Sequence, residues 1–276
     1  MPTSPERMTR RAMVYDQRVV PHWASHVDGV TLELLSGIDL GMSPTLLIAE
    51  CRTGHLVQRL SNTLPEGARL MVVDPSSEML DLARKRLADA KQKVFYSTQQ
   101  MTKLSYADGV FHAVLCNNGL VTKGDLQLAG KELLRVLKPD GLIGLTVPLN
   151  TTFSCFPDLL REALLKLEMR DVEHSLDAYV DALLTNEQID KSFLELGLDI
   201  IGRETIEFEL EFENAEDFLF SPFVEGVFLP RWLAVCNDPD QREPLFFDIV
   251  RSINKYFKGL TFPTKVALVC VLAKRG

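Results

Sequence analysis

Along the first 150 residues, short unbroken apolar runs alternate with stretches in which apolar side chains recur every three or four positions. Residues 12–40 show the second pattern, with Val19, Val20 and Trp23 followed by Val30, Leu34 and Leu35, and predict helices broken at Gly37 and Gly41. Residues 45–49, between Pro44 and Glu50, form an apolar run that predicts a strand buried on both faces. A helical pattern over 55–64 follows, Pro65-Glu66-Gly67 turns the chain, and 69–73 is a second buried strand ending at Asp74-Pro75. Ser76 or Ser77 caps a helix running to about residue 90, with Met79, Leu80, Ala83 and Leu87 on one face. Strands are predicted over 93–97 and 109–116, a helix over 126–137 stopped by Pro139-Asp140-Gly141, and a fifth strand over 142–148.

Strands alternating with helices predict an α/β architecture, a doubly wound parallel sheet with helices on both faces. Ligands of such sheets sit beyond the carboxyl ends of the strands, where the strand order reverses. After residue 150 the pattern changes. Two or three helices are predicted over 157–183, and Thr185-Asn186-Glu187-Gln188 is a capping box for a helix stopped at Gly197. Ile206, Phe208, Leu210 and Phe212 alternate with Glu207, Glu209, Glu211 and Glu213, a half-buried strand with an acidic outer face that deters edge pairing. The last predicted strand spans 265–273.

Composition sharpens this division. The chain of 276 residues carries a net charge of −8, which divides into +2 over residues 1–150 and −10 over 151–276. Thirteen of the 15 phenylalanines lie in the second part. An acidic balance argues against a nucleic-acid partner. No apolar run reaches the length of a membrane span, and the polar, basic first residues show no signal peptide. The five cysteines, Cys51, Cys116, Cys155, Cys236 and Cys270, are scattered and odd in number, so no metal site or disulfide framework is evident and a reducing, cytoplasmic compartment is expected.

The order of elements, and the segment Leu133-Leu134-Arg135-Val136-Leu137-Lys138-Pro139-Asp140-Gly141, resemble the class I S-adenosylmethionine-dependent methyltransferases, in particular the small-molecule branch that includes the quinone-methylating enzymes. That family's turn before the fifth strand usually ends Lys-Pro-Gly-Gly. The resemblance implies a Rossmann-like, mostly parallel seven-stranded sheet with a helical lid, divided into an N-terminal helical cap (1–40), a cofactor-binding core (41–150) and a substrate lid with the final strands (151–276). It implies S-adenosylmethionine as cofactor. Asp74, followed by Pro75, matches the acid that accepts the ribose hydroxyls, and Met79 the side chain that covers adenine; read from the residues alone, Asp74 caps the next helix and Met79 is core. Gln100 stands where an adenine-facing acid is common, with Met101 beside it. Asn117 and Asn118 follow the fourth strand where relatives line the methyl-transfer site, and Tyr15 matches the region that closes it.

The glycine-rich turn departs from the family. The usual pattern is Leu-Asp-hydrophobic-Gly-Cys-Gly-Thr-Gly, and the chain reads Leu47-Ile48-Ala49-Glu50-Cys51-Arg52-Thr53-Gly54. Ile48 replaces an acid, and Glu50 and Arg52 replace two glycines, leaving Gly54. A side chain at a position that takes positive φ costs strain or fills the space. Either Glu50 and Arg52 pair and plug the pocket, or Arg52 grips a carboxylate. His112 stands where an acid is usual and reads as structural, and His22, His26, His55 and His174 are weak candidate bases. Two functions follow. One is methyl transfer to a small apolar or aromatic molecule, under a Phe-rich lid. The other is a pseudoenzyme that binds or scaffolds a protein partner, with its acidic, aromatic second half as partner surface or homodimer interface. A dinucleotide oxidoreductase fits poorly, because no GxGxxG turn is present.

Overall fold

The computed structural model describes residues 12–117 and 119–276. In chain order the helices are α1 (Tyr15–Ala24) and α2 (Ser25–Leu35), α3 (His55–Ser61), α4 (Ser77–Arg86), α5 (Lys123–Val136), α6 (Cys155–Lys166), α7 (Arg170–Ala182), α8 (Asn186–Glu195), α9 (Ala215–Leu219), α10 (Val224–Phe228), α11 (Leu229–Val235) and α12 (Pro239–Tyr256). The strands are β1 (Thr45–Ala49), β2 (Arg69–Asp74), β3 (Lys93–Thr98), β4 (Phe111–Asn117), β5 (Leu137–Pro148), β6 (Leu198–Phe212) and β7 (Phe262–Arg275). They form one seven-stranded sheet in the order β3-β2-β1-β4-β5-β7-β6, with β1 pairing β2 and β4 in parallel, as β2 pairs β3 and β4 pairs β5. The order reverses between β1 and β4, so the ligand crevice expected of such a sheet lies beyond the carboxyl ends of those two strands. No helix among the described residues is long and apolar enough to cross a membrane.

Local chemistry explains most boundaries. β1 is central, and Leu46, Leu47, Ile48 and Ala49 are all buried, as its unbroken apolar run requires. Ser76 caps α4 by accepting the Met79 N–H at 3.2 Å. α5 begins earlier than the expected residue 126, because Thr122 and Asp125 form a reciprocal capping box. α1 is a wide-turned π-helix containing Pro21, whose missing N–H breaks the regular ladder. The predicted turn at Pro139-Asp140-Gly141 is a bulge inside a longer β5: Phe111 pairs with Leu137 and Ala113 with Leu142, and the residues between loop out. Asp140 takes φ +59 there, at the place of the family's usual glycine. The acidic strand is longer than predicted, with its apolar positions half-buried and its glutamates turned outward.

The chain divides into two compact units, one made of residues 1–147, 186–206 and 269–276, the other of 148–185 and 207–268. In the first, Leu46, Ile48, Val57, Leu60, Val72 and Leu115 belong to a continuous apolar core. In the second, the phenylalanines expected over an acceptor instead pack on one another. Phe156 stacks on Trp232 with centroids 3.8 Å apart and planes at 20°, and Phe153 meets Phe228 and Phe218 edge-on at 5.0 and 5.4 Å. The Trp232 indole donates to the Tyr179 hydroxyl at 3.1 Å. These rings are the core of that unit.

Phe156→Ala is expected to cost about 3–5 kcal/mol in unfolding free energy, because Phe156 is fully buried and the cavity cannot collapse among stacked rings. Urea unfolding followed by circular dichroism measures it. A loss under about 1 kcal/mol would show that the stack is not the core.

Candidate functional site

The site is built on the turn after β1. Glu50 and Arg52 both take φ +53 and Gly54 φ +79. The left-handed backbone of a glycine-rich turn is therefore kept, although two of its glycines are gone. Asp74, fully buried at the end of β2, explains how. Its Oδ2 accepts the Arg52 backbone N–H at 2.8 Å and its Oδ1 accepts the Ser76 N–H at 2.9 Å. The Cys51 N–H donates to the Val73 carbonyl at 3.1 Å. At Gly54 a Cβ would stand 2.9 Å from that of Ala83, so glycine is required there by close helix packing as well as by φ.

The two side chains cross the crevice. The Arg52 guanidinium pairs with the Glu50 carboxylate at 3.1 Å, and both are largely buried. The Glu50 Cγ lies 2.9 Å from the place a Cβ on Gly119 would occupy, and the Met101 Cε 2.6 Å from it. Gly119 follows β4, so Glu50 reaches across the switch point from β1 to β4. The space left is a hollow of about 20 Å³ lined by Tyr15, Asp28, Glu50, Arg52, His55 and Asn117, among others. That admits about one water. Burial opposes the Arg52 charge, but Glu50 and Asp74 outweigh it and raise its pKa above the usual arginine value. Burial raises Tyr15 above the usual phenol range, and pushes the Cys116 thiol up to about 12 with help from Glu50.

Beside the hollow lies a polar network that joins α2, α3 and three strands. His55 Nδ1 is 2.6 Å from Asp28 Oδ2, and the Asn117 amide donates to Asp28 Oδ1 at 3.0 Å. Thr146 donates to Asn117 Oδ1 at 3.0 Å and stands 3.2 Å from the Cys270 thiol. Thr31 bonds Asn117 and the Val27 carbonyl.

Of the residues expected at the site, Tyr15, Glu50, Arg52 and Asn117 line the hollow, and Met101 packs against Gly119 beside Glu50. Asp74 sits beneath the turn and Met79 is buried on α4. Pro75 and Gln100 are exposed, and Gln100 makes an isolated backbone bridge with Lys103. Asn118 lies outside the described residues. His112 sits at the opposite end of β4, where its Nδ1 accepts the Thr45 N–H at 2.9 Å, and burial and Lys138 lower its pKa. The sequence reading missed Asp28 and Thr53 and gave His55 no weight over other histidines. The available signal was a carboxylate on the same buried face of α2 as Val27 and Thr31. Among the described residues no group of three or more His, Cys, Asp or Glu is placed to hold a metal ion.

Residues 47–141 match the family described as methyltransferase domain. The chain is 31% identical over 97 residues to a demethylmenaquinone methyltransferase of Lactobacillus johnsonii, covering 34% of this chain and 40% of that protein. It is 31% identical over 108 residues to a ubiquinone/menaquinone biosynthesis C-methyltransferase of Klebsiella pneumoniae, covering 38% and 42%. The chain thus spans about two fifths of the length of the curated relatives it matches. Its fold is similar to that of the [4+2]-cyclase SpnF (TM-score 0.54, 16% identity, 92% of this chain and 82% of that one). It is also similar to that of geranyl diphosphate C-methyltransferase from Streptomyces coelicolor A3(2), solved with Mg²⁺, geranyl diphosphate and S-adenosyl-L-homocysteine (TM-score 0.51, 14% identity, 99% and 86%).

At the turn after β1, the residues present leave little room for the amino-acid part of a nucleoside cofactor. Ligand pockets run to several hundred Å³, and the hollow beside the turn has about 20 Å³; each Asp74 oxygen accepts one backbone N–H and keeps a second acceptor position.

Two outcomes follow. Asp74→Asn places an NH₂ group against one of two buried N–H donors and is expected to cost about 1–3 kcal/mol of stability, read by urea unfolding; an unchanged midpoint would mean the carboxylate does not hold the turn. Cys116, buried and with its thiol pushed up to about 12, is expected to resist iodoacetamide at pH 8 in the folded protein and to react fully in urea, as peptide mass spectrometry reads out.

Proposed function

We propose that this chain, whose residues 47–141 form a class I S-adenosylmethionine-dependent methyltransferase domain of the quinone-methyltransferase-like kind, is a methyltransferase homologue closed by its own ion pair, which binds S-adenosylmethionine weakly or not at all and acts as a binding or scaffold protein. The observation that carries this reading is the Glu50–Arg52 pair at 3.1 Å across the switch point. Two glycine positions with φ +53 hold charged side chains, and their pairing fills the space a cofactor's amino-acid part would enter. Each polar contact withdrawn from a ligand costs about 1–3 kcal/mol, about one to two decades of affinity. The turn and the isoleucine at position 48 withdraw several together.

A second reading is methyl transfer from S-adenosylmethionine to a small apolar or aromatic molecule. The Asp28–His55 pair beside the hollow favours it, because a scaffold does not need an imidazole oriented by a buried carboxylate. Methyl transfer needs alignment, a dry site and at most a base.

Isothermal titration with S-adenosylmethionine and S-adenosylhomocysteine separates the two. No heat is expected at millimolar ligand, whereas a Kd tighter than about 100 μM, about −5.5 kcal/mol, overturns the closed reading and favours the second. The Glu50→Gly, Arg52→Gly double variant restores the turn's glycines and is expected to bind at least tenfold tighter than the parent chain, about 1.4 kcal/mol.

A further inference from the structure

A second cavity, of about 320 Å³, lies away from the turn after β1. Its walls come from the end of α3, the turn at 64–66 that leads into β2, and the segment 89–92 that leads into β3. β1, β2 and β3 run parallel, so the cavity stands at their amino ends, opposite the crevice at the switch point. It lies wholly within the first unit. A volume of that order admits a small organic molecule. The wall is rich in acceptors and short of donors. Gln92 is 5% exposed. Its Nε2 donates to the Ser61 and Leu64 carbonyls, both at 2.9 Å, which uses both amide protons and fixes the group. Oε1 is buried and has no partner among the described residues, and an amide oxygen left so is unfavourable until a donor reaches it. The Ser61 hydroxyl gives its proton to the Gln58 carbonyl at 2.7 Å, so its oxygen too is left to accept. Asp89 is exposed at the rim and has no ion pair among the described residues. Glu66 meets Lys91 at 3.8 Å, with both side chains about three-quarters exposed, a contact that solvent screening leaves weak. Two carboxylates against one ammonium make the lining net negative, and Leu64, Pro65 and Ala90 add apolar surface.

We propose that this cavity between the end of α3 and the segments entering β2 and β3 binds a small aliphatic cation of the alkylguanidinium class. The planar head donates to the Asp89 carboxylate in the two-pronged geometry that guanidinium and carboxylate share. A further N–H of the head supplies the donor that Gln92 Oε1 lacks. The aliphatic stem packs on Leu64, Pro65 and Ala90. The unpartnered amide oxygen makes the site select for N–H donors and not for positive charge alone. No residue of the nucleoside crevice takes part, so the outcome is independent of whether S-adenosylmethionine binds.

The probe is n-butylguanidinium, titrated into the ¹⁵N-labelled full chain while ¹H–¹⁵N spectra follow the Gln92 side-chain amide. Its two cross-peaks are expected to move together and saturate at millimolar probe. Tetramethylammonium carries the same charge without an N–H and is expected to bind about tenfold more weakly. Asp89→Asn changes an exposed side chain, so its melting curve should match the parent's, and its affinity for the probe is expected to fall about fivefold. Gln92 cross-peaks that stay in place at millimolar probe overturn the proposal. Equal affinity for tetramethylammonium also overturns it, since that marks charge attraction at the surface without recognition of donors. So does an unchanged affinity in folded Asp89→Asn.

Discussion

One buried carboxylate governs the shape of the crevice. Asp74 holds the Arg52 N–H on one side and the Ser76 N–H on the other, and so ties the turn after β1 to the start of α4. Left-handed backbone at a residue other than glycine costs on the order of 1–3 kcal/mol and persists only where the surroundings over-determine it. Here Asp74, the Cys51–Val73 hydrogen bond and the tight packing of Gly54 on Ala83 supply that determination. The path of the main chain is thus independent of the side chains carried on it. Glu50 and Arg52 ride on that turn, and both side chains line the hollow.

The same logic recurs at Asp140, which takes φ +59 within the β5 bulge and is paired with Lys274 at 2.9 Å. Glu50, Arg52 and Asp140 are thus three charged residues that take the positive φ favoured by glycine. At these three positions the tertiary frame overrides the local backbone preference. The second unit shows a different economy: its stability rests on stacked and edge-on rings around Trp232 rather than on a strand-and-helix core.

How much of this was legible beforehand depends on the range of the forces involved. β1 and β2 were readable almost to the residue, because a strand buried on both faces must be an unbroken apolar run. The bulge in β5 was read as a turn that precedes the strand, since Lys138 to Gly141 carry turn chemistry and only the pairing of Phe111 with Leu137 reveals the strand before it. The helices between Ala215 and Tyr256 went unmarked, because their aromatic residues are divided between buried positions such as Phe218, Phe228 and Trp232 and exposed ones such as Phe220, Phe247 and Tyr256, which blurs the 3.6-residue period. At the site, Glu50 and Arg52 stood out as departures from a pattern, and one of the two arrangements open to them, mutual pairing, is the one adopted. Gln100 was placed by counting along the chain and Pro75 as the residue after Asp74, and both are exposed. Asp28 and His55 are 27 positions apart and meet only because α2 docks beside the start of α3, which no local pattern encodes.

The division of the chain into two units also divides its indoles. The sequence has two tryptophans; Trp23 is buried in the first unit and Trp232 in the second. Each half therefore carries its own intrinsic fluorophore, and replacing either one by phenylalanine leaves an emission signal that reports the melting of the other half alone. Comparing the melting of the two single-tryptophan variants tells whether the halves unfold together or in sequence.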